Sequence, residues 1–205
     1  AVAMGVAFTL TWLFGTNNEQ IKNENKPSKN KTEKAEQPAQ AIKTKAENAD
    51  VADDGIITAP LSGKAVKLEN VPDQTFAQGI LGLGAAIEPT EGKVVAPGDG
   101  KVETLFDTFH AVGLTLDSGK ELLIHVGINT VELKGEGFKA YVSEGDRVTK
   151  GQTLITFDMD FIKSKGYQTI TPVLVGNSDE FASVEELAEE GTEVTIGDRL
   201  IKVNA

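Results

Sequence analysis

An all-β sandwich or barrel is the fold class this sequence predicts for residues 55–205. Short runs rich in β-branched residues predict it, Gly, Pro and Asp punctuate them, and one turn motif recurs. The pattern begins abruptly at Ile56. In order, the runs are Lys64–Leu68, Lys93–Pro97, Lys101–Phe106, Val112–Asp117, Glu121–Val126, Gln152–Phe157, Thr171–Val175, Thr192–Ile196 and Arg199–Val203. Each has the length and residue types of a strand rather than a helix. Helical patches are expected near Met159–Lys165 and over Ser183–Glu190. In the second, Ser183 and Glu186 read as a capping box and Gly191 as the stop. Gly82-x-Gly84 has no further nucleotide fingerprint and reads as a turn or bulge.

Ala59-Pro60-Leu61-Ser62-Gly63-Lys64 is echoed by Ala96-Pro97-Gly98-Asp99-Gly100-Lys101, and both copies lead into an alternating run. Two copies predict a duplicated β-motif rather than a repeat array. A second echo joins Gly145-Asp146-Arg147-Val148 to Gly197-Asp198-Arg199-Leu200, both hairpin-like turns.

Two different segments precede this region. Residues 1–15 are apolar and uncharged, with Trp12 and Phe14 at the end where an interface belt would sit. The stretch is shorter than the ~20 residues of a membrane-spanning helix, and no basic segment precedes it. It reads as the end of a longer transmembrane segment. Residues 16–54 are rich in Asn, Lys, Glu, Gln and Ala and almost free of large apolar side chains. They cannot bury enough surface to offset their ordering entropy, and read as a flexible linker.

Charge and composition narrow the function. The net charge is −11, from 20 basic and 31 acidic residues, and the linker is almost balanced, so residues 55–205 carry the excess. That argues against a grip on nucleic acid and favours a basic protein partner. With no Cys, the chain has no disulfide, zinc-thiolate site or thiol nucleophile of its own.

The two histidines, His110 and His125, lie in different runs joined by Asp117-Ser118-Gly119-Lys120. That turn can close a hairpin and bring both rings to one patch. Paired imidazoles suit metal binding, acid–base chemistry or nucleophilic capture of a group. Metal hydrolysis needs at least three protein ligands, and neither an H-x-H pair nor a third His is present. No nucleophile elbow and no P-loop occurs. Transient phosphorylation fits the inventory best: one imidazole attacks phosphorus, while the other and a hydroxyl bond its oxygens. Thr108, two residues before His110, would share its strand face and supply that hydroxyl.

Glu121–Phe138, with His125 followed by Val126-Gly127-Ile128-Asn129-Thr130, closely resembles the active-site signature of the glucose-type IIA domains of the bacterial sugar phosphotransferase system. Phe106-Asp107-Thr108-Phe109-His110 resembles the family's partner-histidine segment. Ile57–Gly63, Val71-Pro72-Asp73 with Phe76, Val95–Pro97 and Glu144–Val148 match in the family's order. The resemblance spans residues 55–205.

It implies a compact antiparallel sandwich or flattened barrel built from a duplicated motif. It further implies that His125 receives a phosphoryl group on Nε2 from the phosphocarrier HPr and passes it to a IIB-domain cysteine. His110 would support the transfer and Thr108 would orient it. Phe76, Val71, Phe106, Leu123 and Val126 would line an apolar docking face, with Asp73 beside it. Asn129 departs from the family, which often carries Asp there. No cofactor is implied, although a zinc ion between His110 and His125 could be completed by a partner's carboxylate. The apolar stub and linker resemble the end of a IIC membrane domain joined to its IIA domain. That would tether the chain at the cytoplasmic face of the membrane, in a permease of the β-glucoside, sucrose or trehalose type. A linker of this length has an r.m.s. span of roughly 30–40 Å, and tethering raises effective concentration.

Three rivals remain. A regulatory IIA-like domain on a secondary sugar transporter would share the same stub and linker. A zinc peptidase of related β-fold is opposed by Gly127, which stands where its second His would be. A lipoyl-type carrier is suggested by Glu144–Leu154 and opposed by the Gly that follows Lys150.

Overall fold

The structure is a computed structural model and describes residues 54–205. The expectations for residues 1–15 and for all but the last residue of 16–54 lie outside the described residues. In chain order the strands are β1 (Ile56–Thr58), β2 (Gly63–Lys67), β3 (Leu83–Pro89), β4 (Lys93–Val95), β5 (Gly100–Leu105), β6 (Ala111–Leu116), β7 (Glu121–His125), β8 (Phe138–Ala140), β9 (Arg147–Val148), β10 (Thr153–Phe157), β11 (Thr171–Val175), β12 (Ser183–Glu186), β13 (Glu193–Val194) and β14 (Arg199–Asn204). Two short helices, α1 (Gln74–Ala77) and α2 (Met159–Ser164), join them. The second is the helix expected near Met159–Lys165.

The strands form an eight-stranded sheet, β13-β2-β3-β11-β7-β6-β5-β9, and two three-stranded sheets, β1-β14-β12 and β4-β10-β8. All the named strand pairs are antiparallel. The sheets stay open, so the sandwich alternative holds and the closed barrel does not.

Alternation along the central strands gives the large sheet two faces. Ile124, Val173, Ala85 and Ile87 point into the main core with Ile57, Leu154 and Leu200. Their neighbours Leu123, Leu174 and Ala86 point the other way. There a smaller cluster forms with Leu68, Val71, Phe76, Ile128 and Ile170. His125 shares the alternation of Leu123, so it projects on the side of this smaller cluster.

The duplicated motif is visible as a pseudo-twofold in the hydrogen bonds. Ala59 donates to Asp198 and accepts from Gly197, while Ala96 donates to Gln152 and accepts from Gly151. Ala65 is bonded in the same way to Thr192 and Gly191, and Val102 to Asp146 and Gly145. Gly145–Val148 is therefore equivalent to Gly191–Val194, and not to Gly197–Leu200, the turn it resembles in sequence. The likeness of the two Gly-Asp-Arg turns is local: Asp146 accepts from the Ser143 amide and Asp198 from the Thr195 amide.

The helix expected over Ser183–Glu190 is not formed; its first residues are strand β12. Ser183 and Val184 pair with Asn204 and Val203 of β14. Glu186 accepts from the Leu68 amide at 2.8 Å instead of turning back to Ser183. The ladder and this long-range bond outweigh a local capping signal. Among the described residues no helix is long and apolar enough to cross a membrane.

Candidate functional site

The β6–β7 hairpin turns at Asp117–Lys120, where Gly119 takes φ +83° and its amide donates to the Leu116 carbonyl. Its register sets Ala111 opposite His125, and the Val126 amide donates to the His110 carbonyl at 2.7 Å. The ring centroids of His110 and His125 are thus 4.8 Å apart, with an interplanar angle of 83°. The hairpin anticipated from the turn residues brings both imidazoles to one patch.

Aromatic side chains flank the pair. Phe106 meets His110 edge-on at 5.3 Å, and Phe76 lies 5.0 Å from His125. Phe76 is delivered by α1, whose N-cap is Asp73. That carboxylate accepts from the amides of Thr75 at 2.8 Å and Phe76 at 3.4 Å.

Each ring is oriented through Nδ1. Thr108 Oγ1 lies 2.5 Å from His110 Nδ1. The contact does not arise from a shared strand face, because residues 106–110 form a turn in which Phe109 adopts φ +55°. A hydroxyl both donates and accepts, so this pair is compatible with either tautomer of His110. His125 Nδ1 lies 2.8 Å from the Gly127 carbonyl oxygen. A carbonyl only accepts, so Nδ1 carries the proton and a neutral His125 exposes its lone pair on Nε2.

Burial keeps both rings neutral. His110 is 5% exposed, and desolvation, aided by the nearby His125, pushes its pKa down to about 4. Desolvation also lowers His125, opposed by the Gly127 carbonyl, its own backbone carbonyl and the charge of Asp73.

The remaining candidates divide. Phe76 and Val71 are buried in the smaller cluster and Leu123 packs half-buried against it. Phe106 is half-buried beside His110. Val126 is fully buried in the main core and presents no side chain to a partner. Asn129 is exposed, at φ +59°. That left-handed conformation suits Asn and Asp alike, so the exchange preserves the backbone while removing a charge.

Sequence reasoning missed the Gly127 carbonyl, whose signal was the Gly two residues after His125. It also missed the exposed apolar trio Ile80, Leu81 and Leu83 after α1. Among the described residues no three His, Cys, Asp or Glu side chains cluster to hold a metal.

A β-sandwich domain with two facing imidazoles, one bonded through Nδ1 to a backbone carbonyl, defines a class of protein suited to acid–base chemistry or to nucleophilic capture of a group. Comparison with known proteins makes this particular. The family model for the phosphoenolpyruvate-dependent sugar phosphotransferase system, EIIA 1, matches residues 55–181, and the chain belongs to this family. It is 50% identical over 137 residues to the glucose-specific EIIA component of Halalkalibacterium halodurans, covering 67% of this chain and 79% of that protein. It is 47% identical over 136 residues to the beta-glucoside-specific EIIBCA component of Bacillus subtilis, covering 65% of this chain but 22% of that protein. Among solved structures, glucose permease IIA from Mycoplasma capricolum superposes with a TM-score of 0.66 at 34% identity, over 71% of this chain and 93% of that one. The chain therefore contains an EIIA domain, a phosphocarrier of sugar transport.

Proposed function

We propose that His125 accepts a phosphoryl group on Nε2 from phosphorylated HPr and hands it to the cysteine of a IIB domain. The observation that carries this reading is the 2.8 Å contact of His125 Nδ1 with the Gly127 carbonyl, which leaves the Nε2 lone pair free. In the forward step that lone pair forms the new N–P bond as the donor's P–N bond breaks in line. In the onward step the N–P bond breaks as the IIB thiolate sulfur attacks phosphorus. His110, held through Thr108, bonds the phosphoryl oxygens during both steps. The half-buried apolar surroundings limit water, and so limit loss of the group by hydrolysis.

The partner face comprises Phe76, Phe106 and Leu123, with Val71 as its support and Asp73 and Asn129 at its rim. A permease carrying this domain in one polypeptide with its membrane domain is supported by the fused beta-glucoside relative. Its sugar would be selected by that membrane domain.

The test is incubation with enzyme I, HPr and phosphoenolpyruvate, followed by intact mass measurement and acid treatment. An acid-labile gain of one phosphoryl group is expected. His125→Ala should abolish it, whereas His110→Ala should still accept the group and fail in onward transfer. No gain on a folded protein would refute the carrier role.

A further inference from the structure

The His125 tautomer depends on one carbonyl, and the structure contains a device that fixes that carbonyl. Gly127 sits between two peptide planes. The plane that holds its own carbonyl also holds the Ile128 amide, which donates to the Gln168 carbonyl at 3.1 Å. The two groups of one peptide point in opposite directions. Anchoring the amide toward Gln168 therefore turns the Gly127 carbonyl toward the ring. The preceding plane holds the Val126 carbonyl, which accepts from the Thr130 hydroxyl at 2.5 Å. With both planes tied, the φ and ψ of Gly127 are set.

Thr130 is fully buried, and its methyl group closes over Gly127. A Cβ at residue 127 would lie 2.4 Å from Thr130 Cγ2 and 2.6 Å from the Gln168 oxygen, at φ +77°. Only glycine fits there. The Thr130 hydroxyl is the side-chain contribution to this clamp; the Gln168 tie is backbone to backbone.

We propose that Thr130 is a positioning residue for the phosphoryl acceptor: its hydroxyl, by tying the Val126 carbonyl, holds the Gly127 carbonyl on His125 Nδ1 and so keeps the lone pair on Nε2. The proposal rests on the reading of His125 as the acceptor and adds how that atom is chosen. The Thr130 hydroxyl bonds a backbone carbonyl, so it acts through the loop. Losing the hydroxyl leaves the Val126 carbonyl without this buried partner and frees the first plane to rotate. With the first plane free, φ of Gly127 is no longer set. The second plane can swing on its remaining tie to Gln168 and draw the Gly127 carbonyl off Nδ1. The ring can then shift its proton to Nε2, where it blocks attack.

The test uses the full chain and three variants: Thr130→Val keeps the methyl without the hydroxyl, Thr130→Ser keeps the hydroxyl, and Thr130→Ala relieves crowding should Val not fold. Long-range 1H–15N NMR at neutral pH reads the tautomer of each ring with no phosphoryl donor present. The wild type and Thr130→Ser are expected to hold the proton on Nδ1. The Val or Ala variant should gain Nε2–H population by roughly fivefold to tenfold, the worth of one hydrogen bond. Its rate of phosphoryl uptake on Nε2 should fall in proportion to the Nδ1–H fraction that remains, while cooperative unfolding persists. A folded Val or Ala variant that keeps the wild-type tautomer and rate overturns the proposal. Failure of the wild type to accept phosphoryl from HPr would sink the carrier reading instead, and the tautomer measurement would still decide the role of Thr130.

Discussion

His110 and His125 differ in what surrounds them more than in what they are. His110 is enclosed, with Thr108 on Nδ1 and Phe106 against its ring. Its pKa of about 4 lies below the ordinary 6.5, so the unfolded chain binds the proton first. Its contribution to stability is therefore complete above 6.5 and is lost as the pH falls toward 4. Urea unfolding at about pH 7 and about pH 5 checks this. The protein should lose more stability on acidification than His110→Gln does; equal losses would contradict the assignment. Burial also lowers His125, but the Gly127 carbonyl and Asp73 pull the other way. The two rings should titrate separately, His110 at the lower pH.

Among the elements, α1 does more than its four residues suggest. Its N-cap carboxylate holds the amides of Thr75 and Phe76, and the turn it creates lays Phe76 on His125. Asp73→Ala should cost about 1 kcal/mol in denaturant unfolding, and should broaden the His125 ring resonances as Phe76 loosens. An unchanged midpoint would mean that packing of the smaller cluster alone holds this turn. The helix was invisible in the sequence because so short a segment gives no period. Strand β3 was missed too: Leu83–Pro89 is rich in Gly and Ala, which carry little β-propensity. It needs small residues, since a Cβ on Gly84 would lie 2.1 Å from the Val173 carbonyl oxygen. The β-branched runs were legible because both the main core and the smaller cluster select bulky side chains on alternating positions. Over Ser183–Glu186 the local signal pointed to helix, and pairing with β14 together with the Leu68–Glu186 bond reversed it. The histidine pair was legible through its hairpin turn. Its orienting carbonyl was not, because a backbone group has no signature beyond the glycine that frees it.

At the scale of the whole molecule, the eight-stranded sheet reads the same from either edge, with β11 and β7 at its centre. All five residues of β11 are buried, and β3 and β7 flank it. Amide exchange should be slowest in β11 and β7 and fastest at β9 and β13, the two edges; fast exchange in β11 would show that the halves open independently. The same symmetry bears on how the molecule can be used. Val173 and Ile124 face each other at the centre, so the residue after each, Leu174 and His125, occupies matching places. Their cross-strand neighbours match as well, Gly84 for Leu174 and Ala111 for His125, which sets Leu83 against His110. One half thus carries leucines where the other carries imidazoles. On the carrier reading proposed for His125, this symmetric scaffold has a single loading point, and donor and acceptor take turns at one berth. That reading predicts ping-pong kinetics, with the supply of one partner setting how long the other waits.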